Sequence, residues 1–516
     1  MEGPHPASGH LLPEGEGLHL RSDPPAVGPL PLGEGARRAG EGLLFILILF
    51  AGTFLRFHAL DRQSLWDDEM STIHTITVPW PQLIHRFESY ETHPPLYFLQ
   101  VRLWRKVAGK SLVRLRANSA LWGSISLIVI FGLARLYYGS AGGLVAMGLL
   151  ALSPFHLAYS QEARPYALGV TLGMASLWVL EKALQNKNLR YYGLLALCWT
   201  ALLYTHYWGA FVVGGQALYG AWKAEPLGEK RILMGTTLAC GIFFAFWLPV
   251  LRAQLRIVND LVFWVPLFSP ANLAKSFAAF AGLYFKMASA VFYLPTTIGF
   301  MVLFGVIFLY ALLFGLQNGP LSAKLWLLVG LMVPWLLSLW KPTIYVWYRY
   351  PILILPAFIL LITAGLMSPK SLWLRGVLCA ILLISQVWAC RVYFSAWQKA
   401  NPKAVVQYVH WLSTTTSRRI RQSPSGGKKP NTVVVRPSYF ADLFNFYDQG
   451  TLPSIDANQL DSSQKRAGLK GKDIILLAFD VPSDPIADAF LTEFHPLSGR
   501  YFPGFAHLGI TVYHLK

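Results

Sequence analysis

Short stretches of this chain hold the residue types best suited to chemistry. Trp66-Asp67-Asp68-Glu69 sets three carboxylates side by side, which repel one another and need a cation, a proton or a hydrogen-bond donor nearby. Thr92-His93-Pro94-Pro95-Leu96-Tyr97 couples a histidine to two prolines that set a helix start, where free N–H groups can receive an anion. Ser153-Pro154-Phe155-His156 runs into Tyr159-Ser160-Gln161-Glu162-Ala163-Arg164-Pro165-Tyr166, a polar turn with Glu162 and Arg164 two residues apart. Trp347-Tyr348-Arg349-Tyr350-Pro351 puts an arginine directly before an apolar run, where its fork can hold a phosphate through two parallel bonds. His206 lies in a further turn, Tyr204-Thr205-His206-Tyr207. Together these types suit a carboxylate acting as general base on a hydroxyl, with cations for a phosphate. Each stretch also has a plainer reading: a solvated acidic turn, a structural histidine, an ion pair at the membrane edge, a snorkelling anchor.

The elements that position them are membrane spans. Of 516 residues 54% are hydrophobic and 14% charged, against about a quarter charged in a soluble chain. The deficit is concentrated between 43 and 395, in runs of spanning length. Many of the 18 Trp fall near the ends of these runs, where an interfacial ring is stable. The net charge of +18 does not indicate nucleic acid, because many Lys and Arg flank apolar runs, where they meet anionic headgroups. Cys198, Cys240, Cys379 and Cys390 all lie in expected spans without CxxC spacing and read as small apolar residues.

Residues 1–42 are expected to be a disordered cytoplasmic tail, rich in Gly, Pro, Glu and Arg up to 40. Arg37 and Arg38 before the first span, 43–60, hold that tail inside and deliver the next loop outside. The segment 93–109 is too short and too basic to cross; it predicts an amphipathic helix at the outer interface, so the first outer loop runs 61–116. Later spans are expected at 117–137, 140–156, 166–184, 191–205, 207–222, 232–251, 293–316, 325–340, 350–367 and 372–394. That gives about eleven in an α-helical polytopic protein, with short basic inner loops. Residues 400–516 predict a small extracytoplasmic α/β domain: a helix at 403–412, a basic linker at 417–430, and β runs at 432–435, 473–479 and 509–514. By this topology all the polar stretches fall on one side of the membrane.

In this combination the residues resemble a known family. A long first outer loop with an Asp-Glu pair, then HPPLYF, then SPFHLAYSQEARPYAL, and RYPILILPAFILLITAG at 349–365 are similar to bacterial members of the GT-C glycosyltransferase superfamily, in the branch related to protein O-mannosyltransferases and the lipid A aminoarabinose transferase. The resemblance covers most of 43–395 and implies inverting transfer of a sugar from a polyprenyl-phosphate donor to an acceptor hydroxyl on the outer face of a plasma (bacterial inner) membrane. It implies the base in Asp68-Glu69, with Asp67 preceding it as the competing assignment. Arg349, Arg164, His93 and Tyr350 are then expected at the donor phosphate, and Glu162, Tyr166, His206 and Tyr97 around the substrates. A hard cation would want more oxygen ligands than the stretch supplies, so no cofactor is expected to be obligatory, although Glu69 could hold a divalent ion. The acceptor is open: protein, glycolipid or polysaccharide.

A transporter or flippase of a lipid-linked sugar is the alternative, and would need charged or broken helices at mid-membrane depth. The spans are almost uncharged at their centres, and no inverted repeat is visible. A non-catalytic scaffold displaying the C-terminal domain would not explain polar stretches placed far from that domain.

Overall fold

The computed structural model describes residues 32–260, 268–287, 290–293, 298–395, 402–421, 432–435, 438–449, 451–460, 463–467, 469, 474–479, 485–494, 496–505 and 508–515. The expected tail up to 31 and most of the expected linker lie outside these residues. The first helix, α1 (Leu32–Phe57), begins ahead of the expected span and is largely exposed along its apolar residues, as a lipid-facing helix should be.

The first outer loop is itself folded into α2 (Asp67–Thr77), α3 (Leu83–Ser89) and α4 (Leu96–Ala108). Helix α4 buries Tyr97, Phe98 and Val101 on one face and exposes Leu103 and Val107 on the other. Arg102 lies over the Trp80 ring at 4.2 Å and caps the Val78 carbonyl, which fixes this amphipathic layer.

The bundle follows as α5 (Leu112–Ala151), α6 (Pro154–Ser160), α7 (Tyr166–Asn186), α8 (Leu189–Leu203), α9 (Gly209–Lys223), α10 (Leu227–Ala245), α11 (Leu248–Asp260), α12 (Pro270–Phe280), α13 (Ile298–Asn318), α14 (Leu321–Leu337), α15 (Leu355–Met367) and α16 (Leu372–Ser395). Helix α5 is two helices in one, because Gly139 takes φ +70 and the chain folds back there. Gly143 comes against the Phe131 backbone, and Gly52 of α1 meets both Leu127 and Ala151, so the two halves run side by side. The halves correspond to the expected spans at 117–137 and 140–156, except that the second half ends at Ala151 and α6 starts at Pro154. Among the described residues five helices are long and apolar enough to cross a membrane, or up to seven if two bent pairs each count as one. One of those pairs, α13 and α14, is bent by 117°.

The C-terminal unit is α/β. Helix α17 (Pro402–Arg421) precedes β3 (Thr432–Val435), α18 (Ser438–Asp448), β4 (Ser454–Asp456), α19 (Ser463–Ala467), β5 (Ile474–Phe479), α20 (Pro485–Glu493), β6 (Pro496–Phe505) and β7 (Leu508–Leu515). The two short strands β1 (Tyr284–Met287) and β2 (Ala290–Tyr293) form a separate hairpin within the bundle segment. The five-stranded sheet has order β4-β3-β5-β7-β6, parallel over its first three strands and antiparallel beyond. Alternation divides its faces: Val434, Leu476 and Leu515 pack on Phe490 and Phe494, while Val433, Val435, Ile475 and Leu477 pack with Val405, Val409 and Phe444. That second core takes in Leu65 and Met70, so the domain sits directly on the start of α2.

Candidate active site

The loop 153–166 is moored before it presents anything. Arg56, fully buried near the end of α1, donates to the Leu150 and Ala151 carbonyls, the unsatisfied end of α5, and reaches His156 Nδ1 at 2.7 Å. Gln161 Nε2 donates to the Leu55 and His58 carbonyls, and its own oxygen accepts from Tyr393 of α16. Arg164 is thereby delivered to the first turn of α2, where Nη1 donates to the Asp68 carbonyl at 3.0 Å and to Thr72 Oγ1 at 3.2 Å.

The three carboxylates that follow Trp66 have three different fates. Asp68 Oδ2 is 2.9 Å from Arg349 Nη1, and its side chain remains a quarter exposed. The Arg349 guanidinium also lies over the Trp66 ring at 5.4 Å. Burial works against the arginine's charge, but Asp68 and the surrounding tyrosine oxygens outweigh it and keep Arg349 firmly protonated. Asp67 faces inward with Oδ1 buried. Burial, reinforced by the adjacent Asp68 charge, raises its carboxyl to about 8, so at neutral pH Asp67 holds a proton and cannot accept another.

Glu69 points the other way, into protein. Its oxygens receive Arg116 Nε at 2.7 Å and Nη2 at 2.6 Å, and Oε1 also takes the Ala163 N–H at 3.0 Å. Arg116 further donates to the Leu60, Gln63 and Ser64 carbonyls. With Glu69 fully buried, this is a clamp on the loop that leads into α2. The geometry corrects the expectation that Glu69 meets an acceptor or a cation. Glu162 is also fully buried, away from any solvent-facing acceptor position. Tyr97 is likewise moved out of the substrate group: it is core, with its hydroxyl 3.3 Å from Ser119 Oγ.

His93 stands beside Arg164 and a residue the sequence reading passed over, Glu91. His93 Nδ1 is 3.0 Å from Glu91 Oε1 and 2.8 Å from Arg164 Nη2, so it either donates to the first or accepts from the second. Burial alone would raise Glu91, but Arg164 and the His93 hydrogen bond bring it down to about 2. Burial and the Arg164 charge lower His93, leaving a neutral imidazole. The start of α4 is not an open anion site, because the Leu96 N–H donates to the Tyr204 carbonyl at 2.8 Å.

An aromatic wall faces the cations. The His206 ring centroid lies 5.2 Å from His93, 5.5 Å from Tyr166 and 5.4 Å from Tyr350, and Tyr159 stacks edge-on against Tyr166 at 4.5 Å. His206 Nδ1 accepts the Trp208 N–H, which puts the ring proton on Nε2. Burial, with His93 and Arg164 nearby, depresses His206 far below the usual histidine range, so it acts as a neutral donor. Its Nε2 and the Tyr166 hydroxyl are buried and have no hydrogen-bond partner among the described residues. Among the described residues no cluster of three or more His, Cys, Asp or Glu has the arrangement to hold a metal ion.

Asp67, Asp68, Arg349, Arg164, His93, Tyr350, Tyr166 and His206 therefore converge on one end of the bundle, brought there by five separate segments. Glu91 was visible only as an acid two residues before His93, and Arg116 only as the end of a loop.

Residues 92–251 match the dolichyl-phosphate-mannose-protein mannosyltransferase family. No curated protein matches the sequence. Among solved structures the chain is similar to ArnT from Cupriavidus metallidurans in the apo state, at 13% identity over 92% of this chain and 98% of that one, with a TM-score of 0.52. It also aligns with that protein bound to undecaprenyl phosphate, at 13% identity over 92% and 98% and a TM-score of 0.49. The archaeal oligosaccharyltransferase AglB from Archaeoglobus fulgidus, in complex with an inhibitory peptide and a dolichol-phosphate, aligns at 10% identity over 85% and 69%, with a TM-score of 0.49. Residues 92–251 are thus similar to the dolichyl-phosphate-mannose-protein mannosyltransferase family, and they sit in a polytopic helical fold similar to that of ArnT.

Proposed function

We propose that the chain transfers a sugar from a polyprenyl-phosphate donor to an acceptor hydroxyl on the outer face of a plasma membrane, with inversion. The observation that carries this reading is the Asp68–Arg349 pair, a base that is a quarter exposed in contact with an arginine. The donor's phosphate fits Arg349, His206 Nε2–H and the Tyr166 hydroxyl, with its tail among the apolar helices below. Arg164 is largely spent on α2 and His93, so it positions these groups and adds background positive charge. Asp68 accepts the acceptor's proton as its oxygen bonds to the anomeric carbon. The bond from that carbon to the phosphate oxygen breaks, and the lipid phosphate leaves with the electron pair against Arg349. Asp67, protonated, keeps a second negative charge out of the path of the leaving phosphate. The basic residues of the turns at the far end of the bundle, Lys187 among them, support an inner assignment for that end and an outer one for the site.

The test is a transfer assay on purified protein in lipid with labelled polyprenyl-phosphate sugars. Donor consumption by the wild type and its loss in Asp68→Asn are expected. Retained consumption in Asp68→Asn overturns the base assignment, and lipid movement without a new glycosidic bond overturns the transferase reading in favour of a flippase.

A further inference from the structure

A groove of about 520 Å³ opens in the C-terminal domain between α17 and α18. Lys403, Gln407 and His410 line it from α17, and Phe446, Tyr447 and Gln449 from the end of α18. Its size suits one or two sugar rings. His410 is not a loose surface residue: Nε2 lies 2.9 Å from Asp448, whose buried carboxylate also takes the Thr451 hydroxyl and the Leu452 N–H. One groove residue also holds the chain that leads into the candidate active site. The Tyr447 hydroxyl accepts the Leu65 N–H at 2.7 Å, and Leu65 leads straight into Trp66, Asp67 and Asp68.

We propose that this groove binds the acceptor of the transfer reaction, and that the acceptor presents a saccharide there; the inference rests on the transferase reading above. The exposed Phe446 ring fits the C–H face of a hexose, while Gln407, Gln449, His410 and Lys403 supply the donors and acceptors its hydroxyls need. A polypeptide acceptor fits less well. An extended peptide draws affinity from an open strand edge, and the groove is walled by side chains of two helices.

The test uses the full chain in detergent and saturation-transfer difference NMR. The probes are glucose, galactose, mannose, N-acetylglucosamine, their β1,4-linked disaccharides, and a short Ser/Thr peptide. At least one disaccharide should receive saturation from the wild type and from Asp68→Asn, lose it at least tenfold in Phe446→Ala, and regain it in Phe446→Tyr. Phe446 is 41% exposed, so the alanine variant is expected to fold, which thermal melting verifies. No transfer to any saccharide, transfer indifferent to Phe446→Ala, or transfer to the peptide alone overturns the proposal. Saccharide binding in a protein that consumes no donor would instead overturn the transferase reading and leave the groove assignment standing.

Discussion

Arg349 Nη1 and Asp68 Oδ2 are 2.9 Å apart, so the group suited to hold a leaving phosphate and the group suited to take a proton neutralise each other. A donor phosphate that engages Arg349 competes with Asp68 for it and frees the carboxylate. Base activation is then coupled to donor binding.

This coupling gives opposite signs for two properties of one variant. Asp68→Asn should lower transfer by about 10²- to 10⁴-fold, the usual scale for a general base. It should at the same time tighten binding of undecaprenyl phosphate, because a competitor for Arg349 is gone. Arg349→Ala should weaken that binding. Equilibrium binding of the lipid phosphate to both variants reads the two signs, and weaker binding in Asp68→Asn would contradict the competition.

Asp67 makes stability depend on pH. Its folded carboxyl is raised to about 8, so the stabilisation it contributes is full below the unfolded carboxylate range, near 4, and is lost as pH rises through about 8. Asp67→Asn should melt with a flatter pH profile across that window and surpass the wild type at pH 9. Melting curves in detergent from pH 5 to pH 9 decide it.

Glu91 has the opposite sign. It is held down at about 2, so its contribution is full above the unfolded value of about 4.3 and declines only as pH falls towards 2. Glu91→Gln leaves Arg164 without its carboxylate in a buried setting and should cost about 3–5 kcal/mol at pH 7. The gap between variant and wild type should narrow in acid, as a pH series of melting points shows.

Glu69 separates architecture from chemistry. Glu69→Gln leaves the Arg116 charge buried and should destabilise by about 3–5 kcal/mol, seen as lower yield and earlier melting. Protein that remains folded should still transfer sugar at a measurable rate, whereas Asp68→Asn should be folded and inactive. Activity per folded molecule is the quantity to compare.

The polar stretches could be found in the sequence because each interrupts an apolar pattern at a turn, and alternate turns of a helical bundle share one end. His93, Arg164, His206 and Arg349 were legible on that ground, and so were three strands of the α/β domain, β3, β5 and β7, whose apolar runs are bounded by turn residues; β4 and β6 lack such a run. Partners were not legible. Nothing local tells that Glu69 turns inward while Asp68 turns outward on the same helical turn, since a rotation of one residue about the helix decides it. Glu91 lies in an ordinary amphipathic stretch, Arg116 stands at the end of a loop, and Arg56 lies inside the first expected span. Their buried roles come from carbonyls far away in sequence.

Tyr447 and Leu65 are 382 residues apart in sequence yet joined by one hydrogen bond. A chain made from its N-terminus exposes Asp68 early, long before Arg349 emerges and longer still before the C-terminal domain can settle on α2. Through most of its own insertion the nascent protein thus carries a carboxylate with no partner to set it and no second wall beside it. A chain cut before the C-terminal domain would keep Arg349 beside Asp68 but leave the Leu65 N–H without the Tyr447 hydroxyl that receives it.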